Sequence, residues 1–321
     1  MPSDSEIINL LKKYNALKPG ESPWPTYNSN EEERYRVDWD SLFPRLRGRR
    51  QVEERTWDIQ DDRWNPAWDR EFLGSLQNDL NREEPTADEL EEIGKTLLWD
   101  VCAWYQPIHF FAGHWGIYIR EDCMLRQARL ISRFIPLHVK RSGSLTGLAK
   151  CLIRASVYSF FLHEHYHHKI ESLGLRLLVV DRKSCYLPYQ SKVYNPTKGT
   201  DTQLEEALAN ADSYHRLDTE PYKSWITHDV VRATWHYLEK RFPHDPPGYR
   251  MAVNYLSKNT LDAGENTLHG QIHEASLTPL QPHDEWNVAT RLTQSLFKVT
   301  DNIWVIVRLG GRSILPTRGH I

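Results

Sequence analysis

Between Phe161 and His168 the chain reads Phe-Leu-His-Glu-His-Tyr-His-His, and inside it stands His163-Glu164-x-x-His167. On an α-helix, residues four apart lie about 40° round and roughly 6 Å along from each other, so both imidazoles can meet one ion at about 2.0–2.1 Å. Glu164 projects to the side of that pair. Its carboxylate is placed to take a proton from an attacking water instead of binding the metal. Two neutral nitrogen ligands with a general base between them suit metal-assisted hydrolysis of a carbonyl compound.

A hydrolytic zinc ion needs a third protein ligand and one open position. The best candidate lies in Leu204-Glu205-Glu206-Ala207-Leu208-Ala209-Asn210-Ala211. Glu206 is on a second expected helix, whose alanines permit close approach to the first, and Glu205 points about 100° away as the alternative. Asn210, one turn past Glu206, could accept the far ring proton of a ligand histidine and so fix its tautomer. Glu171 is a weaker competitor for the third position, because its place on the first helix carries it along the axis past the ion. His165 and His168 read as neighbours of the site, with His168 able to position Glu164. A chain with 15 histidines can produce the motif by chance. Burying several histidines and a glutamate at the end of an apolar helix is costly, however, unless something pairs them.

These two segments resemble the gluzincin group of zinc metallopeptidases, with a thermolysin-like metal site. The resemblance covers the two helices and a strand expected before them, and it does not extend to the N-terminal or C-terminal segments. It implies an α+β, zincin-like core with a small mixed sheet above the active helix, and a peptide or protein substrate. It also implies Zn²⁺ held by His163, His167 and Glu206, with Glu164 as base and Asn210 replacing a more usual aspartate. Such enzymes place a His or Tyr across the zinc to stabilise the oxyanion. Tyr214 and His273 are the candidates taken forward, beside His269 and the tyrosines Tyr186, Tyr189 and Tyr194. A prokaryotic branch of the group is the expectation.

The elements that must position these residues are partly legible. Thr86-x-x-Glu89 is a capping box opening a helix through Leu90, Ile93, Leu97 and Leu98 that Pro107 closes. Trp115–Ile119 reads as a strand that could serve as the edge along which a peptide pairs, and Cys123–Phe134 as a helix. Residues 145–172 form a long buried helix ended by Gly174, followed by a short strand at 175–180 and an aromatic loop through Tyr186, Tyr189 and Tyr194. Helices are expected at 203–214, 227–241 and 284–299, and a strand at 303–307. The run from Trp104 to Phe111 with Trp115 reads first as core and second as a cleft lining. Three segments follow: 1–85, a Trp-rich extension with one short helix near its start that otherwise wraps the core; 86–242, the catalytic core; and 243–321, helical with a terminal strand and a basic tail that reads as solvated.

Forty basic against 43 acidic residues leave a net charge of -3, so no overall field draws the chain to nucleic acid or to an anionic membrane. Four scattered cysteines without a CxxC pair read as reduced core residues. No secretory-type start and no bilayer-length apolar run are expected, which gives a cytoplasmic expectation. Oligomeric state is not legible. The rival to a peptidase is a catalytically silent metal-binding interaction protein on a peptidase fold, for example a component of a bacterial defence or toxin–antitoxin system.

Overall fold

The computed structural model describes residues 52–56, 64–107, 115–142, 144–181, 185–275, 299, 303–308 and 313–315. The helices expected near the start and at 284–299 lie outside them. Strand β1 (Val52–Thr56) comes first. Asp69 then caps α1 (Arg70–Leu80) by accepting from the Phe72 amide at 2.9 Å. The helix buries Phe72, Leu76 and Leu80. This segment was expected to wrap the core in extended form; instead it joins the core, because those three apolar residues recur at helical spacing.

Helix α2 (Ala87–Thr96) carries the expected capping box, with Thr86 Oγ1 accepting from the Glu89 amide at 3.3 Å and Glu89 Oε2 from the Thr86 amide at 3.0 Å. It stops well before Pro107. The Leu97 carbonyl is taken by the buried Arg241 guanidinium rather than by a further helical turn. A short helix α3 (Trp99–Cys102) and strand β2 (Ala103–Gln106) follow. Then come β3 (Gly116–Arg120), α4 (Glu121–Ser132) and α5 (Leu137–Ser142).

The long helix α6 spans Leu145–Asp181. Neither the stop at Gly174 nor the strand at 175–180 is present. Gly174 serves close packing: a Cβ there would lie 2.6 Å from Tyr186 Cβ, so the glycine admits the next helix instead of ending this one. The expected aromatic loop is itself helical, as α7 (Tyr186–Tyr189) running into a π turn (Gln190–Tyr194). Helices α8 (Leu204–Arg216), α9 (His228–Arg241) and α10 (Lys258–Ala275) and strand β4 (Ile303–Arg308) follow, with shorter helical turns between them. Helix α10 was not anticipated. Ser313 and Ile314 of the expected solvated tail also pack inward, both donating to Glu121 Oε1.

The described strands form one mixed sheet in the order β1-β4-β3-β2. The β2–β3 and β1–β4 pairs are antiparallel and β3–β4 is parallel. The molecule is therefore an α+β arrangement. Strand β3, expected at an edge, is internal and buried along its whole length, and β2 takes the edge among the described residues. On one side of the sheet Trp104, Tyr118 and Trp304 stack across three strands, with ring centroids 5.5 and 6.0 Å apart. Helix α6 packs against β2 and β3, and is also flanked by α4 and α8.

The buried residues form two clusters, and α6 runs through both: its residues up to Leu162, and Leu175 again, belong to the first, around Phe160 and Trp99, and Tyr166, Ile170, Leu173 and Leu177 to the second, around Tyr186 and Leu268. The stretch Leu145–Leu177 is long and apolar enough to cross a bilayer by composition, contrary to expectation, and 61% of its apolar window is buried inside the protein. Cys102 and Cys123 also differ from expectation, being joined in a disulfide with Cα atoms 5.4 Å apart. The β2–β3 pairing brings them together, since one cysteine precedes β2 and the other follows β3. Cys151 and Cys185 are free thiols.

Candidate metal centre

His163 and His167 project from α6 at the seam between the clusters, and Glu206 comes to them from the first turn of α8. The two Nε2 atoms are 3.4 Å apart. Glu206 Oε2 is 3.3 Å from Nε2 of His163 and 3.4 Å from Nε2 of His167. A tetrahedral ion with ligand bonds of about 2.0–2.1 Å has ligand–ligand edges of about 3.3–3.4 Å, so the three atoms span one face of such a tetrahedron.

The hydrogen bonds behind these atoms fix what faces the centre. Asn210 donates from Nδ2 to the Tyr249 carbonyl at 3.3 Å, which turns its Oδ1 to His163 Nδ1 at 2.9 Å. That nitrogen therefore carries a proton, and Nε2 of the neutral ring presents a lone pair. Glu205 can only accept, and its Oε1 lies 2.6 Å from His167 Nδ1, which fixes the second ring in the same way. Glu206 Oε2 is buried and has no hydrogen-bond partner. Three lone-pair atoms thus converge with no donor between them, an arrangement that is repulsive unless a cation is shared. The residues present fit a divalent ion.

Without a cation, a proton on His167 would take its place. Burial opposes that charge, but Glu206 and Glu205 outweigh burial and push the His167 pKa well above the usual range. Metal entry must then displace a proton.

Glu164 is 2% exposed, with Oε1 3.9 Å from His163 Nε2. His163, Glu164 and His167 also form a looser group with ligand atoms within 4.8 Å. The Glu206 oxygen lies closer to both imidazoles than the Glu164 carboxylate does, and spans the length of a tetrahedral edge with each. Burial pushes the Glu164 pKa up to about 7, against the pull of the two histidines. A carboxyl held there can both accept and release a proton near neutrality.

Several residues around the trio carry no sequence motif. The His163 ring lies between Trp99, at 5.1 Å between centroids, and Tyr249, at 5.8 Å, both nearly parallel to it. Trp99 donates from Nε1 to Asp245 Oδ2 at 2.8 Å and carries the Arg241 guanidinium 4.6 Å from its ring centroid. Arg241 donates in turn to Asp245 Oδ1 at 3.0 Å. Tyr249 donates to Asp100. Asp100 is exposed, yet protein crowds it enough that burial, and then Glu206, push its carboxyl pKa up. Of the three converging side chains, that of His167 alone keeps some exposure, 13%. The signal for these partners was absent from local sequence, since Trp99 and Asp245 are separated by 146 positions.

Other expected residues are engaged away from the trio. Tyr214 donates to Glu239 and packs on Trp235. His273 has its Nε2 2.7 Å from that of His269, one turn earlier on α10. Tyr189 and Tyr194 do reach the site, donating to Glu205 Oε2 and Glu206 Oε1, each at 2.6 Å. His168 meets Tyr105 at 2.8 Å, and Glu171 accepts from the same hydroxyl. His165 lies 3.0 Å from Arg216, whose charge adds to burial in lowering its pKa well below the usual range.

No family model matches the chain, and no curated protein or solved structure matches it either.

Proposed function

We propose that the protein is a zinc-dependent hydrolase of peptide or other amide bonds, with a gluzincin-like metal site. The observation that carries this is the convergence of His163 Nε2, His167 Nε2 and Glu206 Oε2 at 3.3–3.4 Å with no donor among them. Zinc held there would polarise the scissile carbonyl and lower the pKa of water to about 7. Glu164 takes the proton of the attacking water and later returns it to the leaving nitrogen, a role suited by its buried carboxyl with a pKa of about 7. Asn210 and Glu205 hold the two imidazoles by their far nitrogens. Trp99 and Tyr249 exclude water from both faces of His163. Strand β2, at the sheet edge among the described residues, offers an extended substrate a backbone to pair with.

Elemental analysis of the purified protein should give one zinc per chain. Glu164→Gln should keep that zinc and lose turnover of a peptide library by about 10²–10⁴-fold, the usual contribution of a general base. His163→Ala should lose the metal. Full activity in the Gln variant overturns the mechanism.

The closed surroundings of the site favour one rival. His163 is fully buried and Glu164 nearly so, as in a silent metal-binding interaction protein. That rival predicts stoichiometric zinc, no turnover in the wild type, and no effect of Glu164→Gln on partner capture.

A further inference from the structure

Two adjacent glutamates meet the two imidazoles, one at the metal face and one behind it, and a tyrosine hydroxyl holds each. The tyrosines are five residues apart. On an α-helix that spacing separates side chains by about 140°. The π turn Gln190–Tyr194, in which the Asn195 amide donates back to the Gln190 carbonyl, changes the local register, so Tyr189 and Tyr194 both reach the start of α8. Such turns interrupt helices at a cost and recur where side chains must be re-aimed.

We propose that this turn is a two-pronged carboxylate clamp whose tyrosines are positioning residues for the metal site. The inference rests on the reading of the trio as a metal site. A carboxylate can bind an ion through one oxygen or both, and binding through both would fill the position that a hydrolytic ion keeps open. Tyr194 donates to Glu206 Oε1 at 2.6 Å, a short charge-assisted bond, and Gln203 Nε2 stands 3.4 Å from the same oxygen. Only Oε2 is left to face the two histidines. Tyr189 acts one layer back. Its bond to Glu205 Oε2 leaves Oε1 for His167 Nδ1, so each glutamate has one oxygen tied by a phenol and one committed to the site.

The test uses the full-length protein stripped of metal and reloaded with cobalt, whose visible spectrum separates four- from five-coordinate ions. Tyr194→Phe should move the spectrum toward five-coordination and weaken zinc about 10- to 100-fold, the usual cost of losing a ligand's supporting bond. Tyr189→Phe should weaken zinc by a similar factor and leave the cobalt spectrum four-coordinate. A Tyr194→Phe protein with wild-type spectrum and affinity overturns the clamp while leaving the metal site intact. Zinc K-edge absorption on the wild type gives an answer that does not depend on either variant folding: one carboxylate oxygen in the first shell is expected, and two overturn the proposal. A wild type that binds no metal overturns both the clamp and the reading beneath it.

Discussion

At the scale of single residues, the centre depends on which atom each ring is made to present. A neutral imidazole can offer either nitrogen, and His163 and His167 offer Nε2 because Asn210 and Glu205 occupy Nδ1. Glu205→Gln keeps an acceptor but removes its charge, which makes His167 a weaker base toward a metal. Zinc affinity, measured by competition with a chromophoric chelator, should fall about 10- to 100-fold with the fold retained. An unchanged affinity would mean that Glu205 does not orient His167. The meeting of His163, His167, Glu206 and Asn210 was legible because four-residue spacing puts each pair on one face of its helix, and the alanines beside Glu206 let the two helices approach. Trp99, Tyr249 and the buried Arg241–Asp245 pair were not, since nothing in a tryptophan's neighbours tells it to stack on a histidine far along the chain. Tyr194 was visible only as one of several tyrosines, because a π turn leaves no periodic signature.

At the scale of elements, Gly174 misled, and Gly264 shows the same physical cause. Gly174 lies inside α6 and Gly264 inside α10, each where a partner comes too close for a Cβ: Tyr186 Cβ at 2.6 Å from the first, Leu208 Cδ2 at 2.6 Å from the second. Local sequence presents Gly174 as a break, whereas the fold uses both glycines as contacts. The apolar series Leu261, Leu268, Ile272 and Ala275 in α10 was present but masked by its glycines and polar residues. Gly174→Ala separates the two readings. Helix propensity alone would stabilise by about 0.5–1 kcal/mol, while overpacking against Tyr186 would cost about 1–3 kcal/mol. Net destabilisation is expected in urea unfolding, together with weaker zinc binding as α7 moves Tyr189 from Glu205. A gain in stability would return Gly174 to the role of a dispensable break.

At the scale of the whole molecule, the centre joins the two buried clusters, so its charge state enters global stability. The His167 pKa is raised in the folded, metal-free protein, so its contribution is complete below its unfolded value, near 6.5, and is lost as pH rises through the folded value. Glu164 acts in the same direction: with its pKa raised from 4.5 to about 7, the fold binds its proton more tightly than the unfolded chain, and stability declines across that interval. Metal-stripped protein should therefore melt at a lower temperature at pH 8 than at pH 6. Saturating zinc should raise Tm more at pH 8, because fewer protons compete for the ligands. Calorimetry at the two pH values checks both statements, and a metal-stripped protein that is more stable at pH 8 contradicts them.

The bond between Cys102 and Cys123 ties the end of α3 to the start of α4, and α3 carries both Trp99 over His163 and Asp100, which accepts from Tyr249. A covalent link of this kind endures only where thiols are not continually reduced. Reducing it would free the short helix that roofs the histidine while His163, His167 and Glu206 stayed on their own helices. Any grip of this trio on a cation would in this way be coupled to the electron supply of its surroundings.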